Sequence, residues 1–279
     1  MANINIEQSV AASGQFVSEL WAKEVVHSRE SKLVMPNRVA RYDAEFKNGG
    51  DILRVPQMAA LSAASVGDYG AITLASHSET PLALTVDQWI YAAVELEDLA
   101  KVQSSYNLLK EYAKEIGYAL KVNLEDYLLG LYSTLTQSVG TAGVPVTDPV
   151  LLNAILKLDE ADTPEEDRTI IMRPASKSTL LQLDKFVDAS KTGYSKSAAL
   201  TGMFGDIYGI PIFFSNRVIS STGIRNLVFH KDAFMCAIQK DVSMYEDGPD
   251  RIQIAHTIVG HMMYGAIEKR DTDACVLLT

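Results

Sequence analysis

The stretch LTVDQWIYAAVELEDLAKVQSSYNLLKEYAKEIGYALKVNLEDYLLGLY, residues 84–132, decides the fold. Its first part, residues 84–94, is typical of a strand that enters a core. From Glu95 to Tyr132 there is no proline and apolar residues recur at helical spacing, which predicts one helix of roughly 38 residues and 55 Å. That length exceeds the roughly 8 to 20 residues usual in globular proteins, so the helix needs an explanation.

A coiled coil is the first explanation to consider for this helix. A heptad seam of seven residues steps by three and four but fails at Asn123 and Gly130. Leu96, Tyr112 and Leu124 widen the apolar stripe beyond a narrow seam, which favours a helix lying across a sheet. The seam residues are Leu99, Val102, Tyr106, Leu109, Ala113, Ile116 and Leu120.

The chain before residue 45 is weakly patterned. Phe16, Leu20 and Trp21 have helical spacing and predict a short amphipathic helix, and Pro36 ends any helix before it. Because this segment has too few apolar residues to form a core, it must lie on another surface.

Residues 45–80 predict a long β-hairpin that projects from the rest. Asn48-Gly49-Gly50 is a turn signal, residues 51–56 alternate like a strand, and residues 71–74 are the expected return strand. An isolated two-stranded hairpin is marginal in water. We therefore expect a second surface to stabilise it.

The chain after the long helix alternates helices and strands, which predicts one α/β region. Residues 137–147 form a linker, where we place a domain boundary. Asp148 is the expected N-cap of a helix that ends near Glu160, and Ser176 caps a helix that runs to Phe186. A short helix is expected at residues 231–237. The predicted strands are 168–172, 210–214, 227–230, 252–262 and 274–278.

The sequence carries no recognisable catalytic or metal-binding motif. His256 and His261 lie five apart on a predicted strand, which places them on opposite faces. The acidic run at residues 159–167 lacks calcium-loop spacing and indicates a solvated loop. Cys236 stands among apolar residues and indicates a buried, inert thiol rather than a reactive one. We expect no cofactor and no metal, although an enzyme without a local motif stays open.

Composition limits the class of protein further. Apolar residues make up 47% and charged residues 22%, which is ordinary for a globular protein. No apolar run is long enough to span a bilayer. The net charge of −10 and the lack of a Lys/Arg cluster argue against tight, sequence-specific DNA binding. They are compatible with a wall that encloses nucleic acid without adhering to it.

Six stretches of the chain, taken together and in their order along it, resemble the major capsid proteins of tailed bacteriophages with the Hong Kong 97-type fold. Residues 84–132 are the most specific match, since they resemble the strand that leads into the family's long spine helix. The other strings are NRVARYDAEF at 37–46, GDILRVPQ at 50–57, TPEEDRTIIMRP at 163–174, GDIYGIPIFFSN at 205–216 and YGAIEKRDTDACVLLT at 264–279. The likeness spans nearly the whole chain.

The resemblance implies an α+β fold with five parts. They are an N-terminal arm (1–44), an extended β-hairpin called the E-loop (45–82), a peripheral or P domain with the spine helix (83–140), an inserted α/β axial or A domain (141–250) and C-terminal P-domain strands (251–279). It implies that subunits form pentamers and hexamers of an icosahedral shell around double-stranded DNA. It also implies portal and scaffolding proteins as partners and leaves a decoration protein open; no membrane is expected.

The arm, the hairpin and the A-domain tip are then the expected contact regions between subunits. The candidates are Phe16, Leu20, Trp21 and Arg41 in the arm, Arg54, Met58 and Tyr69 in the E-loop, and Lys191, Tyr194 and Lys196 at the tip. Some relatives crosslink subunits through Lys–Asn isopeptide bonds; Lys47 lies near the E-loop, but no catalytic carboxylate is marked beside it, so no crosslink is expected.

Two further expectations concern assembly. The arm begins about 20 residues before Trp21, so we expect scaffolding to be a separate protein or dispensable. The same fold occurs in encapsulins, bacterial compartments that enclose enzymes. That reading, and an α/β enzyme without a recognisable motif, are the alternatives to a phage capsid.

Overall fold

A computed structural model describes residues 31, 33–58, 61–63, 65–66, 72, 74, 80–97, 108–183, 206–247 and 255–279. The strands are β1 (Ala40–Arg41), β2 (Ile52–Gln57), β3 (Thr80–Thr85), β4 (Gln88–Glu97), β5 (Ser138–Gly140), β6 (Arg168–Met172), β7 (Asp206–Ile207), β8 (Ile210–Phe214), β9 (Ser220–Ser221), β10 (Gly223–His230), β11 (Phe234–Asp247), β12 (Ala255–Glu268) and β13 (Ala274–Leu278). The α-helices are α1 (Leu108–Gly130), α2 (Asp148–Glu160) and α3 (Pro174–Leu180).

A four-stranded sheet with the order β1-β11-β12-β4 carries the long helix α1 on one face. Ile116 and Leu120 of α1 pack with Ile258 of β12 and with the apolar side chains of β4 that point to the same face. Helix α1 therefore lies across a sheet, as its wide apolar stripe predicts, and is not paired along a seam with another helix of the described chain.

Two glycines of β12 allow close packing on opposite faces of this sheet. A Cβ at Gly260 would lie 2.4 Å from Cγ2 of Ile116, so the missing side chain lets α1 approach. A Cβ at Gly265 would lie 2.0 Å from the carbonyl oxygen of Thr85, where the end of β3 crosses the other face. Since five residues separate the two glycines, strand alternation places them on opposite faces.

The hairpin consists of β2 and β3, which pair antiparallel from Ile52 opposite Thr85 to Gln57 opposite Thr80. Its base packs on the face of the four-stranded sheet that α1 leaves free. There Leu53, Val55 and Leu82 meet a small core that includes Met235 and Met263. We call this face of the four-stranded sheet, opposite α1, the outer face.

The second sheet has seven strands in the order β5-β13-β10-β6-β8-β7, with β9 attached to β10. Both of its faces are covered. Ile171, Leu227 and Phe229 face a core that contains Leu124 and Leu128 of α1. On the other face, α2 inserts the side chains of Leu151, Ala154 and Leu158 against Ile170, Val228 and Leu277. Burial on both sides explains why RTIIM of β6 is apolar at successive positions.

Most predicted strands after residue 160 are confirmed. Strands β6 and β8 match residues 168–172 and 210–214, and β13 matches 274–278. Strand β10 contains residues 227–230 but begins earlier, at Gly223. In β12 the alternate burial of Ile258 and Met262 is as predicted, whereas residues 252 and 254 lie outside the described residues.

The helix that was expected from Glu95 was placed too early. Glu95 and Glu97 belong to β4, because they pair with Thr257 and Ala255 of β12. Residues 98–107 lie outside the described residues, and α1 runs from Leu108 to Gly130 with a 3-10 turn after it. Tertiary pairing here overrides a local helical preference.

The return strand of the hairpin was also misplaced. The partner of β2 is Thr80–Thr85, and the described residues 72 and 74 are in no strand. Residues 138–140 of the expected linker form β5, an edge strand parallel to β13. The boundary that was placed there stays a prediction.

Two predicted helix caps were wrong, and so was one short helix. Helix α2 has Thr147 at its N-cap position, and Asp148 inside the first turn accepts a hydrogen bond from the Tyr208 hydroxyl. Ser176 lies within α3, where its hydroxyl meets the buried amide of Asn226 at 3.2 Å. Only Lys231–Ala233 is a 3-10 turn, because the next residues alternate between two cores and so form β11.

Candidate assembly surfaces

The hairpin divides its side chains between the body of the protein and solvent. Strand alternation turns Leu53 and Val55 toward the body, so Ile52 and Arg54 point away from it and are exposed. Between β2 and β3, the apolar side chains that the structure describes are all exposed, and Leu74 is 89% exposed. These exposed residues are Met58, Leu61, Val66, Ile72 and Leu74.

The outer face of the four-stranded sheet carries a second exposed apolar area. Trp89 and Tyr91 of β4 are 72% and 76% exposed, although Ile90 between them packs on the α1 side. In the register of the sheet Trp89 lies opposite Met263, and Tyr91 lies opposite His261. Large aromatic side chains thus stand in solvent on a strand whose other face is covered.

Neighbouring strands extend this aromatic area. Tyr245 of β11 stacks flat on the His261 ring, with centroids 5.2 Å apart and planes 2° apart. The ammonium group of Lys240 lies 5.5 Å from the Tyr245 ring centroid and also bonds the phenol oxygen at 3.2 Å. We call Trp89, Tyr91, Tyr245 and His261 the aromatic face. Within it, the Tyr245 and His261 rings are held by their mutual stacking.

The sequence-predicted contact residues that the structure describes lie at different places. Arg41 is on β1 and pairs with Asp43 at 2.5 Å, and the same carboxylate accepts the Ile238 N–H at 2.8 Å. Arg54 and Met58 lie on the hairpin, so they share a surface with each other but not a sheet with Arg41. Phe16, Leu20, Trp21, Tyr69, Lys191, Tyr194 and Lys196 lie outside the described residues.

Sequence reasoning missed the aromatic face as a candidate contact surface. Part of this surface could have been predicted, because β4 carries large apolar side chains at successive positions and the one helix that follows it can cover only one side. A strand that is apolar on both sides needs two covering surfaces. What the sequence did not reveal is that the hairpin base covers only one end of the outer face.

The end of the arm is attached to α1 by one buried carboxylate. Glu125 has no exposed surface, and its two oxygens accept the backbone N–H of Val34 and of Met35 at 2.8–3.1 Å. The Ser215 hydroxyl, just after β8, lies 3.3 Å from Oε1 of the same carboxylate. Arm, long helix and seven-stranded sheet therefore meet at Glu125.

Both cysteines are buried, and His256 and His261 contact other side chains. Burial raises the pKa of the Cys236 thiol to about 12 and that of Cys275 to about 11, so both are protonated at neutral pH. His256 approaches Glu246 at 3.6 Å, while His261 stacks on Tyr245, so the two histidines are engaged separately. Within the described ranges, no group of three or more His, Cys, Asp or Glu side chains could hold a metal ion.

The acidic run at residues 159–167 is largely exposed, as predicted, but it surrounds a buried cation. The Arg168 guanidinium is 4% exposed and bonds the Asp159 carboxylate at 2.6 Å. It also donates to the carbonyl oxygens of Thr163 and Pro164. Arg168 therefore ties this loop to the start of β6. No helix of the described chain is both long and apolar enough to cross a membrane.

A family model described as phage capsid protein matches residues 79–276, which include β4, α1 and most of both sheets. A comparison with curated protein sequences gives no significant match.

Solved structures with the same fold cover nearly the whole chain. That of Mycobacterium phage Che8 has a TM-score of 0.81 at 20% identity, over 95% of this chain and 97% of the other. The capsid of cyanophage P-SCSP1u gives 0.77 at 18% identity, over 95% and 93%. The capsid of a native GTA particle gives 0.75 at 11%, over 97% and 98%. The chain belongs to the phage capsid protein family and has the Hong Kong 97-type α+β fold of phage capsids.

Proposed function

We propose that this chain assembles into pentamers and hexamers, and that these close an icosahedral shell around double-stranded DNA in the cytoplasm of the host. Its role is mechanical, and it catalyses no reaction. The shell encloses DNA through its shape and not through base recognition, which agrees with a net charge of −10.

One observation carries this proposal beyond family membership. Both faces of the seven-stranded sheet are buried within the chain, while the hairpin and the aromatic face leave large apolar side chains in solvent. Contiguous exposed apolar surface of this kind marks a contact site in a soluble protein. The contacts that the subunit lacks are therefore those that a neighbouring copy would supply.

The hairpin of one copy and the aromatic face of the next are both exposed apolar surfaces. Met58, Leu61 and Leu74 offer flexible aliphatic side chains, and Trp89 and Tyr91 offer broad rings. Burying such a side chain stabilises an interface by about 1.5–3 kcal/mol. We therefore infer that the hairpin reaches over the outer face of an adjacent subunit, beyond the part that its own base covers.

Repetition makes modest contacts sufficient for a shell. Each subunit presents the same donor hairpin and the same acceptor face, so the interface is heterologous and closes only when the rotation between copies closes a ring. Once one contact forms, the next becomes intramolecular and gains effective concentration. A closed particle can thus be stable although each pair of subunits binds weakly.

The candidates from the sequence stay part of the proposal. Arg54 and Met58 stand on the exposed side of the hairpin, where a neighbour would meet them. Arg41 is partly held by Asp43 and can contribute at the edge of such a contact. In the arm Phe16, Leu20 and Trp21, in the E-loop Tyr69, and at the A-domain tip Lys191, Tyr194 and Lys196 complete the proposed set.

We propose portal and scaffolding proteins as the partners of other sequence. A portal would provide the entrance for DNA at one vertex of the shell, and a scaffolding protein would direct the subunits into a closed particle. An encapsulin-type compartment is not favoured, since the matching family is that of phage capsid proteins.

Size-exclusion chromatography and negative-stain microscopy of the full chain, purified alone and with its scaffolding protein, test the proposal. We expect capsomers or closed particles whose abundance rises steeply with concentration. A stable monomer or dimer under both conditions would contradict the assembly. Particles that contain folded cargo enzyme and no DNA when recovered from the host would favour the compartment reading.

A further inference from the structure

Helix α2 carries apolar side chains on two opposite sides. On its inner side Leu151, Ala154 and Leu158 are fully buried against the seven-stranded sheet. On its outer side Leu152 and Leu156 are 41% and 50% exposed. A helix that covers a sheet needs only one apolar side. The packing of the subunit therefore accounts for the inner side of α2 and leaves the outer side without a role.

The outer apolar residues of α2 stand next to one another. Residues three and four apart are neighbours on a helix surface, so Leu152 lies between Pro149 and Leu156. Pro149 is also exposed. We call Pro149, Leu152 and Leu156 the α2 patch.

The loop before α2 adds apolar surface at the start of the helix. Val144 is 49% exposed and, with Pro145, lines a groove of about 380 Å³ that also includes Ala175 of α3. At the start of this loop Gly140 has a φ of +94°, and a Cβ there would collide with the carbonyl oxygen of Leu278. The loop is therefore held closely against the end of β13.

The α2 patch is held in place before any partner binds. Its helix is fixed by the buried inner side and by the Tyr208 hydroxyl, which donates a hydrogen bond to Asp148 in the first turn. A surface that is already ordered loses little conformational freedom on binding. A modest apolar area can therefore support a contact here.

The α2 patch and the aromatic face lie on opposite sides of the subunit. Helix α1 packs on the four-stranded sheet through Ile116 and on the seven-stranded sheet through Leu124 and Leu128. The aromatic face lies beyond the first sheet, and α2 lies beyond the second. A neighbour on the aromatic face would therefore leave the α2 patch uncovered. A heterologous assembly uses two different surfaces of each subunit, so contacts on more than one side are expected.

The charge around the α2 patch favours a second copy of this chain as its occupant. Residues 149–156 include no charged side chain, although the chain as a whole has a net charge of −10. Two copies with the same net charge repel each other, and an uncharged apolar area is where they can approach at least cost. The lack of Lys and Arg in this stretch disfavours DNA as the occupant.

We propose that the α2 patch is a second contact between subunits, which an adjacent copy of this chain covers when the protein self-associates. The proposal rests on the proposed function, because it requires self-association. It is independent of the contact between the hairpin and the aromatic face, since it uses the other side of the subunit.

A single cysteine placed in the α2 patch tests whether a second copy covers it. Cys236 and Cys275 are buried, so a maleimide reagent should report on the introduced thiol of a Leu152→Cys variant of the full chain. We expect this thiol to react readily in dilute, unassociated protein and at least about tenfold more slowly above the concentration at which the chain associates. The matched control is Ser178→Cys on the exposed side of α3, which should react equally fast at both concentrations.

A double substitution supplies the second readout. Leu152→Ser/Leu156→Ser should raise the concentration needed for association at least about tenfold, measured by light scattering. The thermal midpoint of the unassociated subunit should not change, because both side chains are partly in water there.

The outcomes distinguish this contact from the proposed shell. A Leu152→Cys thiol that reacts equally fast at both concentrations overturns the α2 contact, and closed particles in the same sample would leave the shell intact. Protection of the thiol in a sample without capsomers or particles supports the α2 contact and contradicts the shell. Protection already in the dilute chain would show that the same chain covers the patch and would overturn a second copy as its occupant. Equal slowing of the Ser178→Cys control would indicate general shielding and would overturn it as well.

Discussion

The seven-stranded sheet and the outer face of the four-stranded sheet differ in how completely their apolar side chains are buried. All five residues of β6 are buried, because α1 covers one face of its sheet and α2 covers the other. On β4, Trp89 and Tyr91 stand in solvent because the hairpin base covers only the far end of the outer face. The first region completes its core within one chain, whereas we propose that the second completes it with another copy.

The comparison predicts that mutations in the two regions act on different quantities. Changes in the closed region lower the stability of the subunit itself. Changes on the hairpin and the aromatic face leave the subunit folded and weaken assembly.

The largest effect is expected inside the closed region. Leu128 of α1 is fully buried among both sheets, so Leu128→Ala should lower the free energy of unfolding by about 2–5 kcal/mol through lost transfer energy and a cavity. Denaturant unfolding of the disassembled subunit measures it. The control Leu152→Ala on the exposed side of α2 should cost less than about 1 kcal/mol. Equal losses in the two variants would refute the assigned core.

The next effect concerns the crossing of the hairpin over β12. A methyl group at Gly265 would meet the Thr85 carbonyl at 2.0 Å and Cα of Val86 at 2.9 Å, and backbone cannot move aside cheaply. Gly265→Ala should therefore cost about 1–3 kcal/mol in thermal or denaturant unfolding.

Gly130 is the control for Gly265, since its replacement by alanine should not lower the free energy of unfolding. Gly130, at the end of α1, has a φ of −65° and no atom within 4 Å of an added Cβ. Gly130→Ala should leave stability unchanged or raise it by up to about 1 kcal/mol. If both alanines behave alike, the crossing does not constrain the hairpin.

The aromatic face should show a smaller effect on the subunit and a clear one on assembly. The double variant Trp89→Ala/Tyr91→Ala should change the unfolding free energy by less than about 1 kcal/mol, because both side chains are already in water. The concentration needed for assembly should rise at least about tenfold. Light scattering against concentration measures this threshold, with Tyr112→Ala on α1 as the control that leaves it unchanged.

The smallest effect concerns the two thiols, one in each sheet. With pKa values raised to about 12 for Cys236 and about 11 for Cys275, the thiolate fraction at pH 8 is very small. A thiol reagent should modify neither in the folded subunit and both in denaturant. Rapid reaction of Cys236 alone in the native state would show that the four-stranded sheet opens locally.

Elements defined by local pattern could be predicted from the sequence. The run RTIIM predicted a buried strand, and the wide apolar stripe within residues 95–132 predicted a helix on a sheet, which the structure shows for Leu108–Gly130. Both signals lie within a few turns or residues of the chain. The resemblance to the capsid family supplied their arrangement, which periodicity alone does not give.

Features set by distant pairing could not be predicted. The return strand was placed at residues 71–74 because they are apolar, yet the partner of β2 is β3, whose position depends on the crossing at Gly265. Glu125 has the pattern of a polar helix residue, and only Val34 and Met35, 90 residues away, explain its burial. The open aromatic face depends on how far the hairpin base extends over the sheet.

The most direct test of the central claim is a cryo-electron microscopy map of the assembled particle at side-chain resolution. The account predicts that Trp89 and Tyr91 of each subunit are covered by the hairpin of an adjacent copy, with residues 58–74 lying across the outer face. A closed shell in which both rings remain in solvent, while the hairpins pack elsewhere, would contradict it.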